Sequence, residues 1–192
     1  MSTRSVYENP WIHVREDAVI RPDGAEGIYG VVETPLAAGI VALTEDERVH
    51  LVGQWRYSMG QWSWEIVEGG AAREEPSLTA AQRELREEAG LIAQDWRVLG
   101  DEIHLSNSFT DERAHIFLAT GLSKVAAEPD PTEQLELRCE PLDVCFDLVD
   151  RGEIKDAISV VALLRLERWR RRGRPPLPVA RPRPPPPRGP HG

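Results

Sequence analysis

Glu84, Glu87 and Glu88 stand at i, i+3 and i+4 in the run Arg83-Glu84-Leu85-Arg86-Glu87-Glu88-Ala89-Gly90. On a helix that spacing places all three carboxylates on one face. Like charges so close repel, and a purely structural helix gains nothing from them. A divalent cation reverses the sign of the interaction. Clustered hard oxygen donors suit Mg²⁺ or Mn²⁺, ions that take part of their coordination shell from the phosphates of a substrate. The chemistry such a cluster supports is metal-assisted hydrolysis of a phosphoric anhydride.

The neighbouring residues form an element able to hold those carboxylates. Gly69-Gly70 permits a tight turn and close approach of backbone to ligand. Pro76 fits the first turn of a helix, and Ser77 or Glu75 can satisfy its free amides. Leu78, Ala81, Leu85 and Ala89 recur at helical spacing as a narrow apolar stripe, expected to pack inward while the glutamates face out. Gly90 supplies a left-handed stop. Arg83 is one turn from Glu87 and can pair with it.

Bulk properties narrow the function classes. The 192 residues suit one domain with extras, and 41% apolar content is enough for a core. The formal net charge is −9; residues 170–192 hold seven of the 23 basic residues and none of the 32 acidic ones, so residues 1–169 carry −16. An acidic body argues against nucleic-acid binding but not against a phosphorylated substrate, because bound metal inverts the local field. Cys139 and Cys145 have no metal-type or redox spacing and read as buried small side chains. No stretch is apolar enough to span a membrane and no signal segment opens the chain, so a soluble cytoplasmic protein is expected.

Along the chain, Trp11–Val14, Asp17–Ile20 and Gly27–Val32 read as strands, with Arg21-Pro22-Asp23-Gly24 as a turn. Leu36–Leu43 and Val49–Gln54 are apolar strands around the turn Thr44–Glu47, and Trp62–Val67 leads into the glycine pair. Trp96–Ile103, Ala114–Leu118 and Leu135–Cys139 follow as strands. Pro141–Val149 is a short helix. Lys155 to about Arg172 is a longer one, with Ala157, Val160, Val161, Leu164 and Trp169 on its inner side. From Gly173 to Gly192 there are nine prolines and four arginines, a segment expected to be disordered and partly polyproline II.

The run from Gly69 to Leu91 resembles the Nudix box. Gly69, Glu75, Arg83, Glu84, Leu85, Glu87, Glu88, Gly90 and Leu91 fill its nine fixed positions. The resemblance implies an α+β fold, the Nudix α/β/α sandwich around a mixed sheet, in a domain over residues 36–172. It also implies Mg²⁺ (or Mn²⁺) held by Glu84, Glu87 and Glu88 with help from a backbone carbonyl near Gly70.

Other segments resemble one branch, the ADP-ribose and nucleoside-diphosphate-sugar pyrophosphatases. A strand-rich leader, residues 1–35, is placed as in that branch, where it helps form an intertwined homodimer. Gln54-Trp55-Arg56-Tyr57 matches a Gln-aromatic-Arg-aromatic segment, which implies that Arg56 contacts substrate phosphate. Trp62-Ser63-Trp64-Glu65-Ile66-Val67-Glu68-Gly69-Gly70 resembles the lead-in to the box, with Val67 for the usual proline. Trp62 and Trp64 point to one face of their strand, for nucleobase stacking or for core packing. Ser106–Glu112 falls where ADP-ribose enzymes have Ser-Pro-Gly-x-Ser-Asp-Glu. Asn107 replaces the proline there, which favours a broader nucleotide-sugar range. By that resemblance Glu112 supports a metal ligand or holds metal-bound water beside the substrate, or it is a plain loop carboxylate. In the acidic loop Glu128–Glu133, Glu133 best matches the branch's catalytic base. With Glu87 and Glu88 it is a candidate for the group that activates water. The expected products are a nucleoside monophosphate and a sugar phosphate. Other nucleotide conjugates (dinucleoside polyphosphates, FAD, NADH) and a non-catalytic nucleotide-sugar sensor stand as alternatives, and the tail as a partner-binding segment.

Overall fold

A computed structural model describes residues 2–127 and 134–182. The leader forms three antiparallel strands in sequential order: β1 (Thr3–Glu8), β2 (His13–Ile20) and β3 (Glu26–Glu33). The two strands expected at Trp11–Val14 and Asp17–Ile20 are one. Polar Arg15 and Glu16 interrupt the apolar pattern, but they pair with β1 on one side and β3 on the other. Strand β1 was not expected at all; its polar residues are recruited by that pairing. The turn at Arg21–Gly24 forms as read, with the Gly24 N–H on the Arg21 carbonyl at 2.8 Å and Gly24 at φ +83°.

The body is built on β4 (Ala37–Ala42), β5 (Arg48–Arg56), β6 (Gln61–Gly70), β7 (Leu91–Val98), β8 (Ile103–His104), β9 (Arg113–Lys124) and β10 (Glu136–Pro141). Their order is β10-β5-β6-β4-β9-β7, with β8 paired to β9. The β4–β9 pair is parallel and the others antiparallel, so the sheet is mixed as expected. β6 changes neighbours midway: its first half pairs with β5, its second with β4.

Helix α1 (Ser77–Ala89) covers one face, burying Leu78, Ala81, Leu85 and Ala89 against Ile40, Val52, Val67 and Phe117. Helices α2 (Leu142–Asp150) and α3 (Ala157–Arg171) cover the other, over Val41, Leu51, Ile66 and Ile116. This is the α/β/α sandwich. The inner face of α3 agrees with the reading only in part: Val160, Val161 and Trp169 pack against this core, but the fully buried positions are others. Ile158, Ser159, Ala162, Leu163 and Leu166 are buried, while Leu164 is 46% exposed. A buried serine hides the true stripe. Ser159 Oγ takes the Ile66 N–H at 2.9 Å and pins α3 to β6.

The segment expected to be disordered from Gly173 is laid along β7 as far as it is described. Val98 N–H bonds the Pro178 carbonyl at 2.9 Å, Ala180 N–H bonds the Trp96 carbonyl at 2.9 Å, and Ala180 is buried. β7 is an outer strand with unpaired backbone groups. The extended Pro-rich chain offers it one carbonyl and one amide. Residues 183–192 lie outside the described residues. No described helix is long and apolar enough to cross a membrane.

Candidate active site

α1 starts and stops on local chemistry, though not quite as read. Pro76 is its N-cap and no side chain caps it. Glu75 Oε2 instead takes the Ala72 N–H at 2.7 Å inside the preceding loop, and Ser77 Oγ meets His115 Nδ1 at 2.7 Å. His115 Nε2 lies 3.2 Å from Glu102 Oε2, so a Ser–His–Glu relay fastens the start of α1 to β9. Gly90 ends the helix at φ +60°.

Two of the three box glutamates, Glu84 and Glu88, turn toward the end of β6 rather than out to solvent. A Cβ on Gly69 would lie 2.1 Å from Glu84 Cδ, so only glycine leaves room for that carboxylate. Glu88 is 7% exposed, and its Oε2 takes the Glu68 N–H at 3.3 Å. Glu87 lies at the more open end, 36% exposed. The Arg83 guanidinium sits among them, 2.7 Å from Glu84 and 2.9 Å from Glu87, with Nη2 donating to the Gly70 carbonyl at 2.9 Å and to Glu75 at 3.3 Å. The expected Arg83–Glu87 pair is therefore one contact of four. Burial raises the Glu75 carboxyl, but its bonds to Arg83 and Ala72 prevail and lower it.

Glu84, Glu87 and the Gly70 carbonyl, gathered on Arg83, and the neighbouring Glu88 offer only oxygen donors, the chemistry that Mg²⁺ or Mn²⁺ takes. Among the described residues no three His, Cys, Asp or Glu side chains are already placed to hold a metal ion by themselves. Mg²⁺ ordinarily completes its octahedron with water and substrate oxygen.

Arg56 lies on the same side, but folded back on two glutamates the sequence reading did not single out. Nε donates to Glu65 Oε1 at 2.9 Å, while Nη2 bonds Glu65 Oε2 and, at 2.8 Å, Glu68 Oε1. Burial lowers the Arg56 pKa, and Glu65 and Glu68 more than offset this, so it stays cationic. Glu68 is raised as well: burial, then the Asp156 and Glu65 carboxylates, push it well above the usual carboxylate range. Asp156 caps α3, accepting the Ser159 N–H at 2.8 Å. It also raises Glu112, after burial and together with Asp111. Glu112 is thus within electrostatic reach of this group. Two sequence signals pointed to it: Glu68 directly before the glycine pair, and Asp156 three residues ahead of Ser159 at a helix start.

Trp62 and Trp64 are not brought to the box. They alternate with Glu65 and Val67 and lie on the α3 face, at 6.0 Å from each other in an edge-on pair, with the Arg138 guanidinium 3.9 Å above the Trp64 ring. Glu133 lies outside the described residues.

A cavity of about 930 Å³ separates the box loop from the leader, lined by Trp11, Arg15, Arg73, Glu75, Asp111 and Arg113 among others. The Ser106–Glu112 loop forms one wall because it is tied to the leader. Val32 N–H bonds the Phe109 carbonyl at 2.8 Å, Thr34 N–H bonds Asp111 Oδ1 at 2.9 Å, and Tyr29 OH bonds the Ser108 carbonyl.

Comparison with known proteins agrees with this arrangement. The "Nucleoside diphosphate sugar hydrolase N-terminal domain" description matches residues 1–32, and "NUDIX domain" matches residues 33–169. An ADP-ribose pyrophosphatase of Mycobacterium tuberculosis is 34% identical over 168 residues, 85% of this chain and 80% of the relative. A methanol dehydrogenase activator of Bacillus methanolicus is 28% identical over 171 residues, 87% of this chain and 91% of the relative. A solved ADP compounds hydrolase shares the fold at TM-score 0.79 and 23% identity, covering 91% of this chain and 95% of that one. With its box filled, its carboxylates gathered and most of its length matched, the chain belongs to the Nudix family.

Proposed function

We propose that this chain hydrolyses the pyrophosphate bond of nucleoside diphosphate sugars, ADP-ribose or a related compound, to a nucleoside monophosphate and a sugar phosphate. The observation that carries the reading is the gathering of Glu84, Glu87 and the Gly70 carbonyl around the Arg83 cation, with the buried Glu88 one turn on and held by the Glu68 N–H, beside an arginine-lined cavity. The leader match and the names of the relatives support the substrate class.

Glu84, Glu87, Glu88 and the Gly70 carbonyl would hold Mg²⁺, with Mn²⁺ as substitute. The bound ion supplies charge neutralisation on the diphosphate and a lowered pKa for bound water. Arg56 meets phosphate through the guanidinium edge that Glu65 and Glu68 do not occupy. Glu87, the most open box carboxylate, Glu88 or Glu133 takes the proton of the attacking water. Glu112 orients water at the edge of the site. Arg83 fixes the carboxylates and compensates their repulsion. Chelation with EDTA is expected to abolish ADP-ribose hydrolysis and added Mg²⁺ to restore it. Full turnover in EDTA contradicts the reading.

The working unit is proposed to be a homodimer. The leader sheet exposes Trp11 at 73% and Ile28 at 72%, with Val6, Tyr7 and Ile20. Among the described residues no helix packs on it. A three-stranded sheet with bare apolar residues needs a covering layer, and a second leader provides one. Light scattering should give twice the mass of one chain. A monomer at micromolar concentration contradicts this.

A further inference from the structure

Arg56 is held by two acceptors, and the second is unexpected. Glu65 alone takes Nε and Nη2 side by side, the usual bidentate pairing. Glu68 adds a separate bond to Nη2 from the end of β6. Among the described residues Nη1 makes no hydrogen bond, so the two glutamates leave that edge of the guanidinium unoccupied, and the Arg56 side chain is 37% exposed.

Glu68 is a costly residue to place there. Its side chain is 10% exposed, and Oε2 is buried and finds no donor among the described residues. The neighbour in reach is another carboxyl, Asp156. A buried carboxyl set against another carboxyl destabilises a fold; the cation it serves is Arg56. Its backbone N–H meanwhile holds Glu88 Oε2. One residue thus ties the arginine to the box.

We propose that Glu68 is a positioning residue, fixing Arg56 against the box so that its free edge meets the substrate diphosphate in register with the carboxylates. The proposal rests on the nucleotide-sugar reading above. Without Glu68 the long Arg56 side chain keeps only Glu65 and swings. Displacements of this kind fall on turnover. Substrate binding does not weaken, because Arg56 itself and the box carboxylates remain.

The test is a double-mutant cycle on ADP-ribose hydrolysis with Mg²⁺. Glu68→Ala is expected to lower kcat about tenfold, with KM unchanged or lower. In an Arg56→Ala background the same substitution should change kcat by less than about twofold. Glu68→Gln should recover most of the loss, since its amide oxygen accepts from Nη2. If the Ala variant does not fold, Glu68→Leu fills the space without an acceptor and takes its place. Equal losses in both backgrounds, a raised KM at intact kcat, or Gln no better than Ala would overturn the assignment while wild-type activity stands. A wild type that neither binds nor cuts any nucleotide sugar overturns the reaction reading, and this inference with it.

Discussion

Glu88→Gln should lower turnover by about 10³-fold, or roughly 4 kcal/mol of transition-state stabilisation, and leave the fold standing. Glu88 is 7% exposed, so a change there would ordinarily threaten packing. Gln keeps the volume and keeps an oxygen for the Glu68 N–H that Glu88 Oε2 now accepts. What it removes is the charge. A neutral amide is a poor ligand for a hard divalent ion, and a charge that neutralises a diphosphate cannot be held as well without its carboxylate. The check is kcat with Mg²⁺ beside a thermal melt. Near wild-type kcat in a folded variant removes Glu88 from the metal site.

Gly69→Ala should cost about 100-fold in kcat/KM, from steric displacement alone. Gly69 does not have the positive φ that only glycine tolerates, so its backbone accepts alanine. The new Cβ would stand 2.1 Å from Glu84 Cδ and 2.2 Å from Oε1. The flexible carboxylate yields rather than the strand, so stability falls little while Glu84 leaves its place beside Arg83. Gly70→Ala is the contrast. Its Cβ would find only Pro35 Cβ, at 3.6 Å, and its carbonyl stays in the chain, so it should lose far less. Equal effects at the two glycines, measured as kcat/KM and melting temperature, would break the link between Gly69 and Glu84.

The box helix was legible because its chemistry is local. The apolar stripe, the stop at Gly90 and the Arg83–Glu87 pair all follow from spacing within one element. The direction in which the glutamates point was not, because it depends on β6 lying alongside α1 with a glycine at position 69. Arg56 was read as a phosphate contact, yet its partners Glu65 and Glu68 are set by the β5–β6 pairing and the switch of β6 from β5 to β4. Trp62 and Trp64 were rightly placed on one face. Only the tertiary structure reveals that this face belongs to α3. The inner side of α3 was read only in part, Val160, Val161 and Trp169 packing inward as expected, because Ser159 does core work through a hydrogen bond, which hydropathy does not register. The tail shows the same limit. Its composition gives no reason to fold, and the strand it lies on is what orders residues 178–180.

The most direct measurement incubates the full chain and Mg²⁺ with ADP-ribose, ADP-glucose, GDP-mannose, UDP-glucose, FAD, NADH and diadenosine polyphosphates, and resolves the products by chromatography. The account expects the sugar conjugates to be cut fastest, each giving a nucleoside monophosphate and a sugar phosphate. Preference for FAD, NADH or the dinucleotides, or no cleavage although a nucleotide sugar raises the melting temperature, would contradict it.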